Sequence, residues 1–182
     1  MILSILICSL HNRKHLLERL MSVLNPQIVK GVEVLVELDG GELKTGTKRN
    51  ILKKKAKGKY IVYVDDDDLV SNNYVKSILN AAKLNPDVIT FDGYMTTDGL
   101  NKKRFILGLE IKTWYEANNI YYRSPNHIVP IKKACIENVW FPDKYIAEDA
   151  DFSKQIVSLN CLKTSVHINS DLYIYDYKTK KQ

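Results

Sequence analysis

Four short apolar runs punctuate the first half of the chain: "ILSILIC" (2–8), "VEVLVEL" (32–38), "YIVYV" (60–64) and "DVITF" (87–91). Each has the length and β-branched content of a strand, and the first is nearly continuously apolar, as a strand buried on both faces must be. Helical patterns lie between them. Leu16, Leu17, Leu20, Met21 and Leu24 recur at helical spacing, with Asn12 as the expected cap and Pro26 as the stop. Thr47 to Lys57 reads as a basic helix closed by Gly58, and Ser71 caps a third helix reaching Leu84. Strand alternating with helix in this way predicts an α/β fold with a mostly parallel sheet and helices on both faces. Ligands of such sheets bind beyond the carboxyl ends of the strands. Asp39 ends the second run and Asp65, Asp66, Asp67 and Asp68 end the third, so all five carboxylates face one crevice.

After residue 92 the pattern changes. "YMTTDGLNKKRFIL" reads as a β-hairpin turning at Asp98-Gly99, the start of a small antiparallel extension. An aromatic, irregular stretch holds Trp114, Tyr115, Tyr121 and Tyr122; a helix spans Glu148 to Leu159, and "LYIYDY" is a last strand. Core packing is the default expectation for Trp114 and Trp140. The whole chain, 1–182, is expected to be one domain.

Four adjacent carboxylates repel one another, and at the end of a buried strand they need a counter-charge. A divalent cation offers one, because hard oxygen ligands suit magnesium or manganese. The chain carries 27 Lys and Arg against 21 Asp and Glu, a net charge of +6 that suits an anionic partner. In "KRNILKKKAKGK" a solvated helix face is expected, with Lys48 and Arg49 as the exceptions. The three cysteines lack metal-ligand spacing and read as reduced thiols. The opening residues lack the basic flank of a signal peptide, and no apolar run approaches the roughly 20 residues of a membrane span, so a cytoplasmic location is expected.

"VYVDDDDLV" resembles the Asp-X-Asp motif of the GT-A glycosyltransferases of the family 2 type. "SILICSLHNRKHLL" is similar to their opening strand and Asn-Arg turn, "VEVLVELDGG" to their second strand, "GTKRNILKKKAKGKYIVYVDDDD" to their Arg-Asn helix and metal motif, and "AEDADF" to their Glu-Asp motif. The resemblance runs from about Ile2 to Tyr177. It implies a GT-A fold whose residues 1–92 bind a nucleotide sugar, a UDP-sugar foremost, and whose residues 93–182 face the acceptor. It also implies that Asp39 holds the nucleobase or ribose, that Asp65 contacts the ribose or sugar, and that Asp67, with Asp65, ligates Mn2+ or Mg2+. Asp68 supports the metal shell or caps a helix. Ser9, Arg13, Lys48, Arg49, Asp66 and His127 join the donor site. Asp149 is the implied general base of an inverting displacement, with Glu148 orienting the acceptor.

The departures are Ser9, Leu10 and His11 in place of the frequent Pro-Thr-Tyr before Asn12, Leu38 and Gly41 in place of the usual Asp and Ser around Asp39, and no late histidine for the metal site; Lys178 stands near that position. The Gln-X-X-Arg-Trp motif of processive synthases is absent. The acceptor stays open between a glycan, a lipid-linked glycan and a modified base in DNA. Two alternatives stand beside the transferase: a HAD-like phosphatase using the aspartate run, and an inactive sugar-nucleotide-binding module.

Overall fold

The computed structural model describes residues 1–178. The apolar runs become strands β1 (Leu3–Leu10), β2 (Val32–Asp39), β3 (Tyr60–Tyr63) and β5 (Val88–Thr97) of one ten-stranded sheet, with the two-residue β4 (Leu69–Val70) after the aspartates. β2 and β3 flank β1 in parallel, with Leu10 opposite Asp39 and Leu6 opposite Tyr63. A long final strand, β10 (Ser165–Tyr177), runs parallel to β5 from Ser165↔Val88 to Tyr177↔Thr97, breaking register between Ile168 and Tyr173. The "LYIYDY" segment is therefore only its second half. The long ladders are parallel, as expected, and the antiparallel pairings are shorter.

One of those was not legible in the apolar pattern. β9 (Ile131–Lys132) inserts antiparallel between β3 and β5. The hairpin at Asp98-Gly99 forms as expected, joining β5 to β6 (Leu100–Leu107) with both turn residues at positive φ, 52° and 79°. The aromatic stretch is not irregular: it is a second hairpin, β7 (Tyr115–Ala117) and β8 (Ile120–Arg123). Asn118 and Asn119 make its turn at φ 50° and 58°, a left-handed pair that asparagine tolerates better than most residues.

The helices are α1 (Lys14–Leu24), α2 (Thr45–Lys55), α3 (Tyr74–Ala82) and α4 (Glu148–Leu159). Asn12 does not cap α1; it lies in a single 3-10 turn, His11–Arg13, and Arg13 occupies the cap position without a side-chain cap bond. Ser71 does not cap α3 with its hydroxyl, which bonds the Asn73 side chain; its carbonyl accepts the Tyr74 amide. α3 packs Tyr74 edge-on against Phe91 of β5. α2 and α4 meet over Tyr63 of β3, whose ring lies edge-on to Phe141, itself stacked on Phe152 at 4.1 Å between centroids.

Gly46, in the first turn of α2, is where that packing is tightest. Its amide donates to the Lys144 carbonyl, and a Cβ there would lie 1.9 Å from the Pro142 carbonyl oxygen. Gly→Ala in a helix ordinarily stabilises by about 0.5–1 kcal/mol. Gly46→Ala is expected to do the reverse and cost about 1–3 kcal/mol by forcing α2 off the 142–147 loop. The urea midpoint reads the sign directly.

Candidate functional site

The carboxyl ends of β1, β2 and β3 converge on a cleft of about 550 Å³. β1 delivers Cys8 and Ser9, the 3-10 turn after it Arg13, β3 the aspartates, and the N-terminus of α4 Glu148 and Asp149. The structure thus brings together Ser9, Arg13, Lys48, Arg49, Asp65, Asp66, Asp67, His127, Glu148 and Asp149 around one space, with Asp39 behind Lys48.

The four aspartates do not share one environment. Asp65 stands between two cations or donors: Arg49 Nη2 donates to Oδ1 at 2.8 Å and His127 Nε2 lies 3.2 Å from Oδ2. Burial alone pushes its carboxyl up, but Arg49 and His127 hold it well below the usual carboxylate range. Asp66 is buried, accepts from Ser9 Oγ at 2.6 Å and pairs with Arg13 Nη2 at 2.6 Å; burial raises its carboxyl. Asp67 is the outward one, its side chain 40% exposed, and the same Arg13 nitrogen reaches its Oδ2 at 2.8 Å. Asp68 points away from the cleft, accepting the Tyr173 hydroxyl at 2.7 Å and the Asp176 amide at 3.0 Å. It ties the aspartate loop to β10. Arg13 and Arg49 therefore supply counter-charge to the run directly.

Behind this row, Lys48 Nζ reaches Asp39 Oδ1 at 2.7 Å and the Ser9 carbonyl at 3.0 Å. The Leu43 amide donates to Asp39 Oδ2 at 2.8 Å, so the loop after β2 folds back onto the aspartate that ends it. Arg49 is buried between the faces of Tyr63 and Phe141 and extends Nε to within 3.2 Å of Glu148 Oε1. Glu148 is buried too, and burial raises its carboxyl against the pull of Arg49. His127 Nδ1 lies 3.9 Å from Asp149 Oδ2, so one imidazole stands between Asp65 and Asp149. Just before them Ala147 has φ 63°, a left-handed conformation costing a non-glycine residue about 1 kcal/mol or more, which aims the first turn of α4 at the cleft. Cys8 lines the cleft without being reactive, since burial pushes its thiol up to about 12.

Two expectations need correction. Lys53 is not on a solvated face: it is buried, donates to the carbonyls of Ile136, Glu137 and Val139, and sits 3.8 Å from the centroid of Trp140. Its position one helical turn beyond Arg49, on the same side of α2, was the available signal. Trp114 and Trp140 are not core residues; they are 38% and 39% exposed. The position without its late histidine is reached by β10, which places Asp176 and Lys178 on the cleft wall, paired at 3.0 Å.

A parallel α/β sheet with helices on both faces, an aspartate run ending a central strand and a Glu-Asp pair opening a late helix defines a GT-A fold. Residues 35–136 match the profile of Glycosyl transferase family 2. The chain belongs to that family. No curated protein matches it. Among solved structures it resembles S. aureus TarS 1-349 in complex with UDP-GlcNAc, with a TM-score of 0.72 and 15% identity over 100% of this chain and 60% of that one. The complex of the same protein with UDP gives 0.72 at 17% identity over 97% of this chain and 60% of the other. Against a longer TarS chain the score is 0.70 at 15% identity, covering 97% of this chain and 37% of that one. At such identities the likeness is one of fold, and this chain spans at most three-fifths of those proteins. No helix among the described residues is long and apolar enough to cross a membrane.

Asp68 yields a test that separates scaffold from chemistry. Burial, with Asp65 beside it, raises its carboxyl well above the usual value. A raised folded-state pKa contributes stability that is present below the unfolded value of about 4 and is lost as pH rises through the folded one. Asp68→Asn keeps the acceptor for the Asp176 amide without the charge, so wild type should lose stability relative to this variant as pH rises from 4 to 8. Urea midpoints of the two proteins across that range check it; parallel curves would mean that Asp68 titrates normally.

Proposed function

We propose that the chain transfers one sugar from a nucleoside diphosphate sugar, a UDP-sugar foremost, to an acceptor hydroxyl with inversion at the anomeric carbon. What supports this is a single juxtaposition: Asp65 to Asp67 and the Glu148-Asp149 pair, far apart in sequence, edge one cleft in a family 2 fold, with Asp39 behind the cleft-lining Lys48. Residues 1–92 form the donor side and residues 93–182 the acceptor side. Asp39, set by Lys48 and the Leu43 amide, receives the nucleoside. Ser9, Arg13, Lys48, Arg49, Asp66 and His127 shape the donor site around Asp65.

The cleft lining carries six carboxylates (Asp65, Asp66, Asp67, Glu148, Asp149, Asp176) against four Lys and Arg side chains (Arg13, Lys48, Arg49, Lys178). An anionic diphosphate therefore needs an accompanying cation. No group of three or more His, Cys, Asp or Glu among the described residues is disposed to hold a metal ion by itself. That fits Mg2+ or Mn2+, held by one or two carboxylates together with substrate phosphates. Asp67, the outward carboxylate, is the first ligand we assign, with Asp65 beside it. When bound, the ion offsets charge on the departing diphosphate.

In the displacement the acceptor oxygen attacks the anomeric carbon, the bond from that carbon to the diphosphate oxygen breaks, and the acceptor proton passes to the Asp149 carboxylate. Asp149 is open to the cleft, with its side chain 32% exposed, whereas Glu148 is locked against Arg49. Glu148 thus positions and Asp149 accepts the proton. No observation favours the phosphatase, whose aspartate motif is expected after the first strand: here the run follows β3.

Two variants divide the roles. Asp149→Asn should lower transfer about 10²–10⁴-fold while keeping the rise in melting temperature given by UDP-GlcNAc with Mn2+. Asp67→Asn should abolish that rise, or reduce it to what EDTA leaves in wild type. Donor stabilisation with no transfer in wild type would instead mark an inactive sugar-nucleotide-binding module.

A further inference from the structure

The β7–β8 hairpin carries an aromatic surface that the donor chemistry does not use. Tyr115 and Tyr122 stack at 4.7 Å between centroids and 7° between planes, leaving Tyr115 52% exposed. With Trp114 and Tyr121 they line an open groove of about 270 Å³. Trp114 is exposed yet fixed: its Nε1 donates to Ser124 Oγ at 2.9 Å, and Ser124 Oγ lies 2.9 Å from Ser153 Oγ. Both serines are 2% exposed, and Ser153 is on α4, one turn beyond Asp149. A buried polar chain thus locks a surface indole to the helix that carries the candidate base. Packing the fold does not require this, because an indole in the core serves that purpose without exposing a ring. Arg123 continues the link, its guanidinium 5.0 Å from the Trp114 ring centroid and within electrostatic reach of Asp149 and Tyr175 at the cleft.

We propose that this hairpin is an acceptor subsite that stacks a neutral sugar on Trp114 and Tyr115, so that the acceptor is a glycan of at least two units reaching from the hairpin to Asp149. The inference rests on the transferase reading of the cleft. Flat rings fixed at one edge present an apolar face to the C–H face of a pyranose at little entropic cost. Single-stranded nucleic acid also stacks on aromatic rings, but its phosphates need cations beside them. Of the cations near the hairpin, Lys103 pairs with Glu116 at 2.7 Å and Arg104 with Asp92 at 2.6 Å, while Lys102 lies over the Tyr94 ring and Arg123 over two rings. The lysine-rich groove (Lys53, Lys54, Lys59, Lys132, Lys133) lies instead at the opposite end of the strands, beside the start of β3.

The chain has two tryptophans, so Trp140→Phe leaves Trp114 as the sole indole reporter. Emission of this variant is titrated with cellotetraose, maltotetraose and tetra-N-acetylchitotetraose, and with oligo-dT, at low and high salt. The expected result is a saturable change with at least one neutral tetrasaccharide, insensitive to salt, and weakened about tenfold when Tyr115→Ala is added. Stabilisation by UDP-GlcNAc should be the same with and without Tyr115→Ala. No response to any tetrasaccharide, or a response to oligo-dT alone that fades with salt, overturns the subsite. If the tetrasaccharide binds but no nucleotide sugar stabilises the protein, the transferase reading falls and the sugar-binding surface stands.

Discussion

The site is organised around one buried guanidinium. Arg49 leaves α2 between Tyr63 and Phe141, reaches Asp65 at the end of β3 and faces Glu148 at the start of α4. Three elements from distant parts of the chain are thereby held to one planar cation. A guanidinium suits this better than an ammonium, because its fork meets two carboxylates in fixed directions while its faces stack on rings. Removing one member of such a buried group strands the others, at a cost of about 3–5 kcal/mol. The same geometry leaves Asp149, next to Glu148, facing the cleft. What anchors α4 to β3 also separates two adjacent carboxylates into a fixed one and an accessible one.

The aspartate run follows a similar division. Asp68 belongs to the scaffold, Asp65 to the Arg49–His127 pair, Asp66 to Ser9 and Arg13, and Asp67, the most exposed of the four, to Arg13. Adjacent like charges are tolerable because successive side chains diverge into different surroundings. Arg13 spans Asp66 and Asp67, and Arg19 donates to the Asp67 carbonyl, so α1 and the turn before it help set the loop. The run is four aspartates by composition and four separate sites by structure.

What the sequence disclosed and what it hid divide along the range of the interaction. The strands β1, β2 and β3 were legible because burial imposes an apolar period on each, and α4 was legible because its acidic first turn and helical spacing are local. The crevice followed from strand polarity, which placed Asp39 and Asp65 together before any contact was known. The β7–β8 hairpin was missed because its aromatic run masks the turn; Asn118-Asn119 was the overlooked signal. β9 is two residues long and owes its pairing to its neighbours rather than to its own composition. Arg13 as partner of the aspartates, and the carbonyls and ring that hold Lys53, lie 50 to 90 residues away; no local pattern encodes the first, and only the spacing from Arg49 hints at the second.

Charge distribution draws the last distinction. The net charge of +6 suits an anionic partner in the aggregate, yet the cleft lining is richer in carboxylates than in cations. Positive charge is concentrated in the lysine groove at the far end of the strands and on the helix face leading to it. Overall basicity therefore does not describe the cleft. In a low-dielectric cleft, local balance outweighs distant surface charge, which salt screens within about 8–10 Å. A diphosphate entering this cleft meets Arg13 already engaged by two aspartates, so it must either draw that arginine away or bring a cation of its own. On the reading proposed above, the second course leaves the Arg13 bridge intact and draws on Asp67, the most exposed side chain of the run, with the partly exposed Asp65 beside it.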